Sequence, residues 1–310
     1  MRSFLYVPGN QPKMLAAALT RGADALIVDL EDAVPPGEKQ AARHTVAEWL
    51  RSLPAGAPVW VRVNSGPDGL DDARAVIAPA PRGDAHAVPT PALRGDAHAV
   101  PTPALRGDAH AVPTPALRGL VVAKASLDQL TGLGGLLDEH DPAGAVGLVP
   151  LLETPQAILA AAAIASAPRV TRLQIGEADL SAELGITPGD QDQELLFVRS
   201  SVVLASAAAG IEPPAAAVTT DFRDLDALRR STLALKRLGF RGRACIHPAQ
   251  IPVVHDVFTP TAEEIATARD LITRFESAGG GVCLDARGRM VDLAVIREAR
   301  RTLSLAPAVP

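Results

Sequence analysis

Short runs of apolar, often β-branched residues alternate along the chain with longer stretches in which apolar positions recur at helical spacing. The short runs predict eight strands, at residues 3–7, 25–30, 59–63, 120–123, 145–152, 172–175, 216–219 and 244–246. The longer stretches predict helices at 12–21, 37–50, 127–137, 155–165, 193–209, 224–238 and 248–257. Eight alternating units in about 250 residues indicate an α/β protein of the (β/α)8 TIM-barrel class. A doubly wound sheet is the alternative, but no Gly-x-Gly-x-x-Gly phosphate loop follows any predicted strand.

One segment departs from this alternation. Residues 82–117 contain the twelve-residue unit RGDAHAVPTPAL three times without a substitution. Each copy has two prolines, one glycine and little apolar bulk, so burial cannot offset the entropy of ordering it. We interpret the segment as an inserted low-complexity surface loop, disordered or extended. The spacing of His86, His98 and His110 is too flexible to preorganise a metal site.

Composition excludes several classes of protein. The hydrophobic fraction of 47% is enough for a sizeable core. The 35 acidic side chains outnumber the 30 basic ones, which argues against nucleic acid or a membrane surface as the main partner. No apolar run approaches the roughly 20 residues of a membrane-spanning helix. Cys245 and Cys283 form neither a Cys-x-x-Cys pair nor a metal spacing, so we expect a reduced, cytoplasmic compartment.

Polar or charged residues follow nearly every predicted strand, at the point where the strand ends. They are Tyr6 and Asn10, Asp29, Glu31 and Asp32, Arg62 and Asn64, Lys124, Glu153, Asp179, Asp221 and His247. Because the chemistry of a TIM barrel lies at the carboxyl ends of its strands, these residues predict an active site at that rim.

Glu153 and Asp179 are candidate metal ligands. Carboxylate oxygens with few histidines or cysteines nearby suit Mg²⁺, or Mn²⁺, held by one or two carboxylates together with substrate oxygens and water. The alternative is that both are ion-pair partners at the end of the barrel.

Arg62 interrupts an apolar strand and therefore needs an anionic partner, because a buried unpaired guanidinium is costly. The partner is either a substrate carboxylate or developing oxyanion, or a structural carboxylate of Asp29 or Glu31. His247 is either a general acid or base, or a residue that stabilises the turn at Pro248.

Six motifs in order carry a resemblance to a known family. They are Arg2-Ser3-x-Leu-Tyr-Val-Pro-Gly-Asn, Ala23-Asp24-Ala25 followed by Asp29-Leu-Glu-Asp-Ala-Val, Val-Arg62-Val-Asn, Leu-Glu153-Thr, Gly176-x-x-Asp179-Leu and Cys-Ile-His247-Pro-x-Gln250. Together they resemble the HpcH/HpaI aldolase/citrate lyase superfamily, and within it the citrate lyase β-subunit-like CoA-ester lyases. The resemblance covers the chain apart from the repeats.

The resemblance implies a barrel over residues 1–275 and a C-terminal helical extension over 276–310, assembled as a homo-oligomer, often a trimer. Such enzymes use Mg²⁺ to break or form a carbon–carbon bond between an acyl-CoA and a 2-oxo acid. Glu153 and Asp179 match the metal ligands, and Arg62 matches the arginine that holds the oxo acid. The positions that match substrate or CoA contacts are Tyr6, Lys13, Ile246 and His247.

The resemblance also gives Asp292, in Met290-Val291-Asp292, the role of catalytic acid or base, reaching towards a neighbouring subunit. From the residues alone, Asp292 is also a good helix N-cap. The chain departs from the family pattern at Ala17, which replaces a lysine, and at Ala178, which replaces an acidic residue, so the substrate stays open. The alternatives are a 4-hydroxy-2-oxo acid aldolase that needs no CoA, and a non-catalytic subunit that binds CoA or an oxo acid.

Deleting one copy of the repeat, residues 82–93, should leave the melting temperature and the catalytic rate nearly unchanged. Loop-closure entropy varies only slowly with loop length, so a shorter insertion has little energetic effect. Thermal unfolding and turnover of the deletion variant check this prediction. A fall of several degrees, or a large loss of rate, would show that the repeat is not an inert loop.

Overall fold

Eight parallel strands close into a barrel in the computed structural model, which describes residues 1–77, 116–189 and 191–306. The strands are β1 (Ser3–Pro8), β2 (Ala25–Asp29), β3 (Val59–Val63), β4 (Leu117–Val122), β5 (Gly147–Leu152), β6 (Arg172–Ile175), β7 (Glu212–Ala216) and β8 (Gly242–Cys245). Each strand pairs with its sequence neighbour, and β1 pairs with β8. The predicted (β/α)8 class is confirmed.

Helices connect the strands. They are α1 (Pro12–Ala18), α2 (Lys39–Ser52), α3 (Gly66–Ile77), α4 (Leu127–His140), α5 (Pro155–Leu159), α6 (Ala161–Ala165), α7 (Glu177–Leu184), α8 (Leu196–Ala209), α9 (Leu225–Leu238), α10 (Gln250–Phe258), α11 (Ala262–Ser277) and α12 (Leu293–Ser304). In the described part of the chain, none of them combines the length and apolar character required to cross a bilayer.

Two strands begin three or more residues away from their predicted starts. Strand β7 spans Glu212–Ala216 instead of 216–219. It contains Pro213 and Pro214, and prolines argue against a strand because they lack the N–H that forms hydrogen bonds in a sheet. The pairing of β6 with β7 is accordingly irregular between Arg172 and Gln174. Strand β4 begins at Leu117, three residues early, so the last residue of the third repeat copy belongs to the barrel. The rest of the predicted loop, up to residue 115, lies outside the described residues.

Helices α3, α7 and α11 were not predicted. Helix α3 contains Gly66, Pro67 and Gly69, which read as turn residues. Gly69 is required by a close approach, since a Cβ there would lie 2.0 Å from the carbonyl oxygen of Asn64. Helix α7 begins at Glu177, directly after β6, so its first turn lies at the carboxyl-terminal rim.

The strands are buried on both faces, as expected for a parallel barrel. The interior holds an apolar cluster of Phe4, Ala25, Ile27, Val121, Val149, Leu151 and Ala215, with Tyr6 and Trp60 packed against it. A larger cluster fills the space between the strands and the helices. In β3, Val59, Val61 and Val63 belong to the outer cluster, so Trp60 and Arg62 face the interior.

The C-terminal extension packs on itself through a small cluster. Phe275 of α11, Val291 and Ile296 form its centre, beside a two-stranded hairpin of β9 (Cys283–Leu284) and β10 (Met290–Val291). Glu298 of α12 lies 3.7 Å from Arg241, which immediately precedes β8. Helix α12 therefore lies near the amino-terminal end of the barrel of its own chain.

An ion-pair network around Asp24 joins the first strands to a helix that follows the last one. Arg2 donates to the Asp24 carboxylate through its backbone N, Nε and Nη2, at 2.7, 3.0 and 2.9 Å. His255 Nε2 of α10 lies 3.2 Å from Asp24 Oδ1 and 2.7 Å from Ser3 Oγ. Burial alone would raise the pKa of Asp24, but the hydrogen bonds and charge of Arg2 outweigh it and lower the pKa to about 2.

Replacing this carboxylate, Asp24→Asn, should lower the free energy of unfolding at pH 7 by roughly 1–2 kcal/mol, allowing for solvent screening of a partly exposed group. Because the pKa is depressed in the folded state, the contribution is complete above the ordinary carboxyl pKa near 4. It is lost as the pH falls towards 2. Denaturant unfolding at pH 7, 5 and 3 should give equal differences at pH 7 and 5, and a smaller one at pH 3.

The matched control is Asp138→Asn, which removes an exposed carboxylate 2.9 Å from Arg169 Nε. An exposed pair contributes little, so we expect a loss below about 1 kcal/mol. Equal losses for the two variants, or a difference for Asp24→Asn that grows at pH 3, would contradict the assignment.

Candidate active site

Arg62 lies at the carboxyl end of β3, in register with Asp29, the last residue of β2. Its Nε and Nη2 donate to the two oxygens of Asp29 at 2.7 and 2.6 Å, and Nη1 lies 2.9 Å from Glu31 Oε2. Burial would lower the pKa of Arg62, but these carboxylates outweigh it and raise it, so the guanidinium stays charged. The sequence left open whether Arg62 pairs with a structural carboxylate of Asp29 or Glu31, and in the structure it pairs with both.

Tyr6 connects Arg62 to the opposite side of the barrel. Its ring centroid lies 5.2 Å from Arg62 Cζ, within the range of a cation–π contact. The Tyr6 hydroxyl accepts a hydrogen bond from Gln174 Nε2 of β6 at 2.9 Å. Burial raises the pKa of Tyr6, so the phenol keeps its proton.

Lys124 joins three carboxylates that follow different strands along the chain. Its backbone N donates to Glu153 Oε1 at 2.6 Å, and its Nζ donates to Glu31 Oε1 at 2.6 Å and lies 3.5 Å from Asp179 Oδ2. The residue has φ +46°, a left-handed conformation that costs energy in a residue with a side chain. The sequence placed Lys124 at the rim without a role, because a left-handed lysine leaves no local signal.

Glu153 is buried at the carboxyl end of β5, and only one of its two carboxylate oxygens accepts a hydrogen bond from the described residues. Oε1 accepts from Lys124, whereas Oε2 accepts no hydrogen bond from the described residues. Oε2 lies against Gly176, where a Cβ would approach it to 2.7 Å. Burial raises the pKa of Glu153 to about 7, and the positive charges of Lys124 and Arg62 only partly oppose this.

Asp179 lies in the first turn of α7, whereas the sequence placed it at a strand end. Its side chain is 46% exposed, and Lys124 links it to Glu153. The neighbouring Glu177 forms an ion pair outside this cluster, because Arg199 of α8 donates to both of its oxygens at 2.6 and 2.7 Å. Glu177 is therefore not available to act in place of an acidic side chain at position 178.

The charge at this rim fits a divalent cation. Five carboxylates, Asp29, Glu31, Asp32, Glu153 and Asp179, lie around the two cations that contact them, Arg62 and Lys124. Carboxylates therefore outnumber their cationic partners at this rim. Within the described residues no three acidic, histidine or cysteine side chains are placed to share an ion. Such a site suits an ion that keeps water or substrate oxygens, which is typical of Mg²⁺.

A buried polar network supports the loop that carries Glu31. Asn64 donates to Asp72 Oδ2 through its backbone N and Nδ2, at 2.9 and 2.7 Å, and Nδ2 also donates to the carbonyl of Leu30. Lys39 Nζ donates to Asn64 Oδ1 and to the carbonyl of Glu31. The sequence predicted no role for Asp72 or Lys39. Asp72 is an acidic residue among the buried positions of α3, and that is the feature from which a role could have been inferred.

His247 and Ile246 follow β8 at the same rim. His247 Nδ1 accepts from the backbone N of Ala249 at 3.1 Å, so the turn-stabilising role is present. Its ring stacks on Phe222, with centroids 4.6 Å apart. Ile246 is 41% exposed. Phe222, which the sequence did not indicate as a site residue, thus forms a partly exposed stacking surface with His247.

Lys13 and Asp292, like Ile246 and His247, have no recorded contact with the Arg62–Lys124 cluster in the described part of the chain. Lys13 is exposed in the first turn of α1, with no polar partner in the described part of the chain. Asp292 caps α12, where its Oδ1 accepts from Ala294 N and Val295 N at 2.9 and 3.1 Å. Because α12 lies near the amino-terminal end of the barrel, the N-cap interpretation describes Asp292 in its own chain.

Known proteins were compared with the whole chain. Residues 2–248 match the family HpcH/HpaI aldolase/citrate lyase. Citrate lyase subunit beta of Leuconostoc mesenteroides subsp. cremoris is 31% identical, over 99% of this chain and 93% of that protein. The mitochondrial citramalyl-CoA lyase of Mus musculus is 28% identical, over 99% and 86%. The crystal structure of CitE from Mycobacterium tuberculosis with magnesium, acetoacetate and coenzyme A has a TM-score of 0.71 at 26% identity, over 98% and 97% of the two chains.

The fold and the rim define a (β/α)8-barrel enzyme with a carboxylate cluster held by Arg62 and Lys124. The chain belongs to the HpcH/HpaI aldolase/citrate lyase family, which confirms the resemblance carried by the sequence motifs. It is an enzyme of the lyase class, the class named in both of these relatives.

Proposed function

We propose that this lyase is a Mg²⁺-dependent CoA-ester lyase, which cleaves a 3-hydroxy-3-carboxyacyl-CoA into an acyl-CoA and a 2-oxo acid. Malyl-CoA, citramalyl-CoA and citryl-CoA are the candidate substrates. The observation that carries the proposal is the pair of carboxylates Glu153 and Asp179, joined through Lys124 and placed beside Arg62 by Glu31. The names of the lyase relatives and the coenzyme A and magnesium of the CitE complex support the substrate class and the metal.

Glu153 and Asp179 would hold the ion. Glu153 Oε2 accepts no hydrogen bond from the described residues, and the half-exposed Asp179 has only Lys124 beside it at 3.5 Å. When bound, the ion supplies Lewis-acid polarisation of the oxygen on the carbon that becomes the keto carbon. Lys124 Nζ neutralises Glu31, which leaves Glu153 and Asp179 as the acids that still lack a full counter-charge.

Arg62 stabilises the substrate oxygen during cleavage. Asp29 takes two of the five guanidinium N–H groups and Glu31 lies against a third, so one donor remains on each of Nη1 and Nη2. As the bond between the α- and β-carbons breaks, its electron pair passes to the acyl-CoA as an enolate. The hydroxyl group gives up its proton to solvent water, and its oxygen becomes the keto oxygen. A fixed cation beside that oxygen stabilises the charge that develops there. Asp29 and Glu31 hold the guanidinium still, which makes this stabilisation preorganised.

Asp292 serves as the acid that protonates the enolate, and it does so in a neighbouring copy. In its own chain α12 contacts Arg241, which precedes β8, and so lies away from the carboxyl-terminal rim. Its Oδ2 has no hydrogen-bond partner in the described residues, so one oxygen is available while Oδ1 caps the helix. The proposal therefore includes a homo-oligomer, a trimer by resemblance, in which the extension of one copy reaches the rim of another.

Incubation of the purified protein and Mg²⁺ with malyl-, citramalyl- and citryl-CoA should release an acyl-CoA and a 2-oxo acid, detected by mass. Glu153→Gln and Asp179→Asn should each lower kcat/KM by roughly 100-fold or more, because each removes a charge from the metal site. Titration calorimetry with Mg²⁺ should show the same losses in ion affinity. Chelation by EDTA should abolish turnover.

The matched control is Glu183→Gln, which removes an exposed carboxylate from the same helix, α7, without effect on rate or Mg²⁺ affinity. Cleavage of 4-hydroxy-2-oxo acids but of no CoA ester would identify the enzyme as an aldolase instead. Binding of acetyl-CoA without turnover of any thioester would identify a non-catalytic subunit. Either outcome overturns the proposal.

Mixing two inactive variants tests the placement of Asp292. Asp292→Asn should lower kcat by about 100-fold or more as a lost acid catalyst, yet it should keep α12 intact because asparagine is an equally good N-cap. Arg62→Ala should also be inactive, because it removes the guanidinium at the rim and leaves Asp292 unchanged. Co-expressed, the two variants should recover measurable activity, since some rims receive a native Arg62 from one copy and a native Asp292 from another.

The control pairs Arg62→Ala with the double variant Arg62→Ala/Asp292→Asn, which must stay inactive because no rim has Arg62. If the first mixture also stays inactive while size measurements show mixed oligomers, Asp292 does not act between copies.

A further inference from the structure

A cavity of about 340 Å³ lies at the amino-terminal end of the barrel. Its lining comes from residues at the beginnings of the strands: Phe4 of β1, Trp60 of β3, Gly147 and Val149 of β5, Arg172 of β6 and Glu212 of β7. Because all eight strands are parallel, this end lies opposite the rim that carries Arg62, Glu153 and Asp179. The volume is within the range of roughly 300–1,000 Å³ that is typical of small-ligand sites.

Arg172 on the wall of this cavity is buried with too little compensation for its charge. It is 5% exposed, and its only ion-pair partner in the described residues is Glu212, with Nη2 3.1 Å from Oε2. Glu212 itself is 66% exposed, so water screens much of its charge. The Nη1 atom of Arg172 is buried without a hydrogen-bond partner. A buried guanidinium in this state is costly unless a further anion is present.

The pKa of Arg172 reflects the same imbalance. Burial lowers it, and the charge and hydrogen bond of Glu212 offset this only in part. Arg199, by contrast, is also buried but is held by Glu177 and Asp192, and its pKa is raised. Two carboxylates satisfy Arg199, whereas Arg172 has one partner that is mostly in water. Arg172 thus has less negative charge around it than Arg199 has.

The other lining groups define the remaining part of a ligand. Phe4 and Trp60 are in an edge-to-face contact with centroids 6.5 Å apart, and Arg172 Cζ lies 5.3 Å from the Phe4 ring. Trp60 Nε1 has no hydrogen-bond partner among the residues that the structure describes. The cavity therefore combines aromatic and aliphatic walls with an under-compensated cation and an unused N–H donor.

We propose that this cavity binds a small organic carboxylate with an apolar, preferably aromatic, body. The carboxylate pairs with Arg172, and the apolar body lies against Phe4, Trp60 and Val149. Arg169, which also lines the cavity, does not compete for the ligand, because Asp138 and Asp141 already hold its guanidinium at 2.9 and 3.0 Å. This site lies at the other end of the barrel from the proposed lyase chemistry and does not depend on it.

Tryptophan fluorescence gives a direct test, because the chain has two tryptophans and only Trp60 lines the cavity. In a Trp49→Phe background, titration with sodium benzoate should change the Trp60 emission saturably, at ionic strength matched with sodium chloride. Benzamide, the neutral analogue, should bind at least tenfold more weakly. Arg172→Met should weaken benzoate binding at least tenfold, and a melting curve should show that this variant is folded.

Glu212→Gln should raise the affinity for benzoate, whereas Arg172→Met should lower it. Removing the competing carboxylate frees Arg172 and removes a like charge, so benzoate should bind about three- to tenfold more tightly. Arg241→Met is the matched control, because Arg241 is a partly buried arginine at the same end of the barrel, outside the cavity lining. It should leave the affinity for benzoate unchanged.

Three results would overturn the proposal. The first is the absence of any saturable change with benzoate in the native or the Glu212→Gln background. The second is equal affinity in native and Arg172→Met protein, which would place the anion elsewhere, for example near Arg62. The third is equal binding of benzoate and benzamide, which would show that the cavity does not select a charge.

Discussion

Compensation of buried carboxylates by two fixed cations is the interaction on which the carboxyl-terminal rim depends. Asp29, Glu31 and Glu153 are almost fully buried, and carboxylates buried without counter-charges cannot stay ionised. Arg62 from β3 pairs with Asp29 and Glu31. Lys124 after β4 pairs with Glu31 through its ammonium group and donates its backbone N–H to Glu153, whose burial is only partly compensated. The rim is therefore acidic enough to attract a cation, yet ordered enough to keep its side chains in place.

This arrangement requires local strain that only the surroundings can maintain. Lys124 adopts a left-handed backbone so that its N–H reaches Glu153 while its ammonium group reaches Glu31. A residue in this conformation persists where its contacts outweigh the cost, and such residues concentrate at functional sites. The buried network of Asn64, Asp72 and Lys39 serves the same end, since it fixes the backbone that carries Glu31.

The two ends of the barrel have opposite electrostatic character. The carboxyl-terminal end has an excess of carboxylates, whereas the cavity at the amino-terminal end has an under-compensated arginine. The apolar layer of Ile27, Val121 and Leu151 lies inside the barrel and separates them. A ligand for either end must therefore carry the charge that the end lacks: a cation at the rim and an anion at the cavity.

Local pattern in the sequence determined the alternation of strands and helices, the closed-barrel class and the presence of Arg62, Glu153 and Asp179 near one rim. These follow from hydrophobic periodicity and from the rule that parallel strands bring their carboxyl ends together. The bounds of strand β7 and the presence of helix α3 were not predicted, because their prolines and glycines are typical of turns. Asp179 was predicted at a strand end but lies in a helix. Only the tertiary structure decided that Asp29 and Glu31 form ion pairs with Arg62, that Lys124 contacts three acidic side chains, and that Arg172 pairs with Glu212. The physical reason is that these partners are tens of residues apart, and barrel closure sets their distances, which no local pattern records.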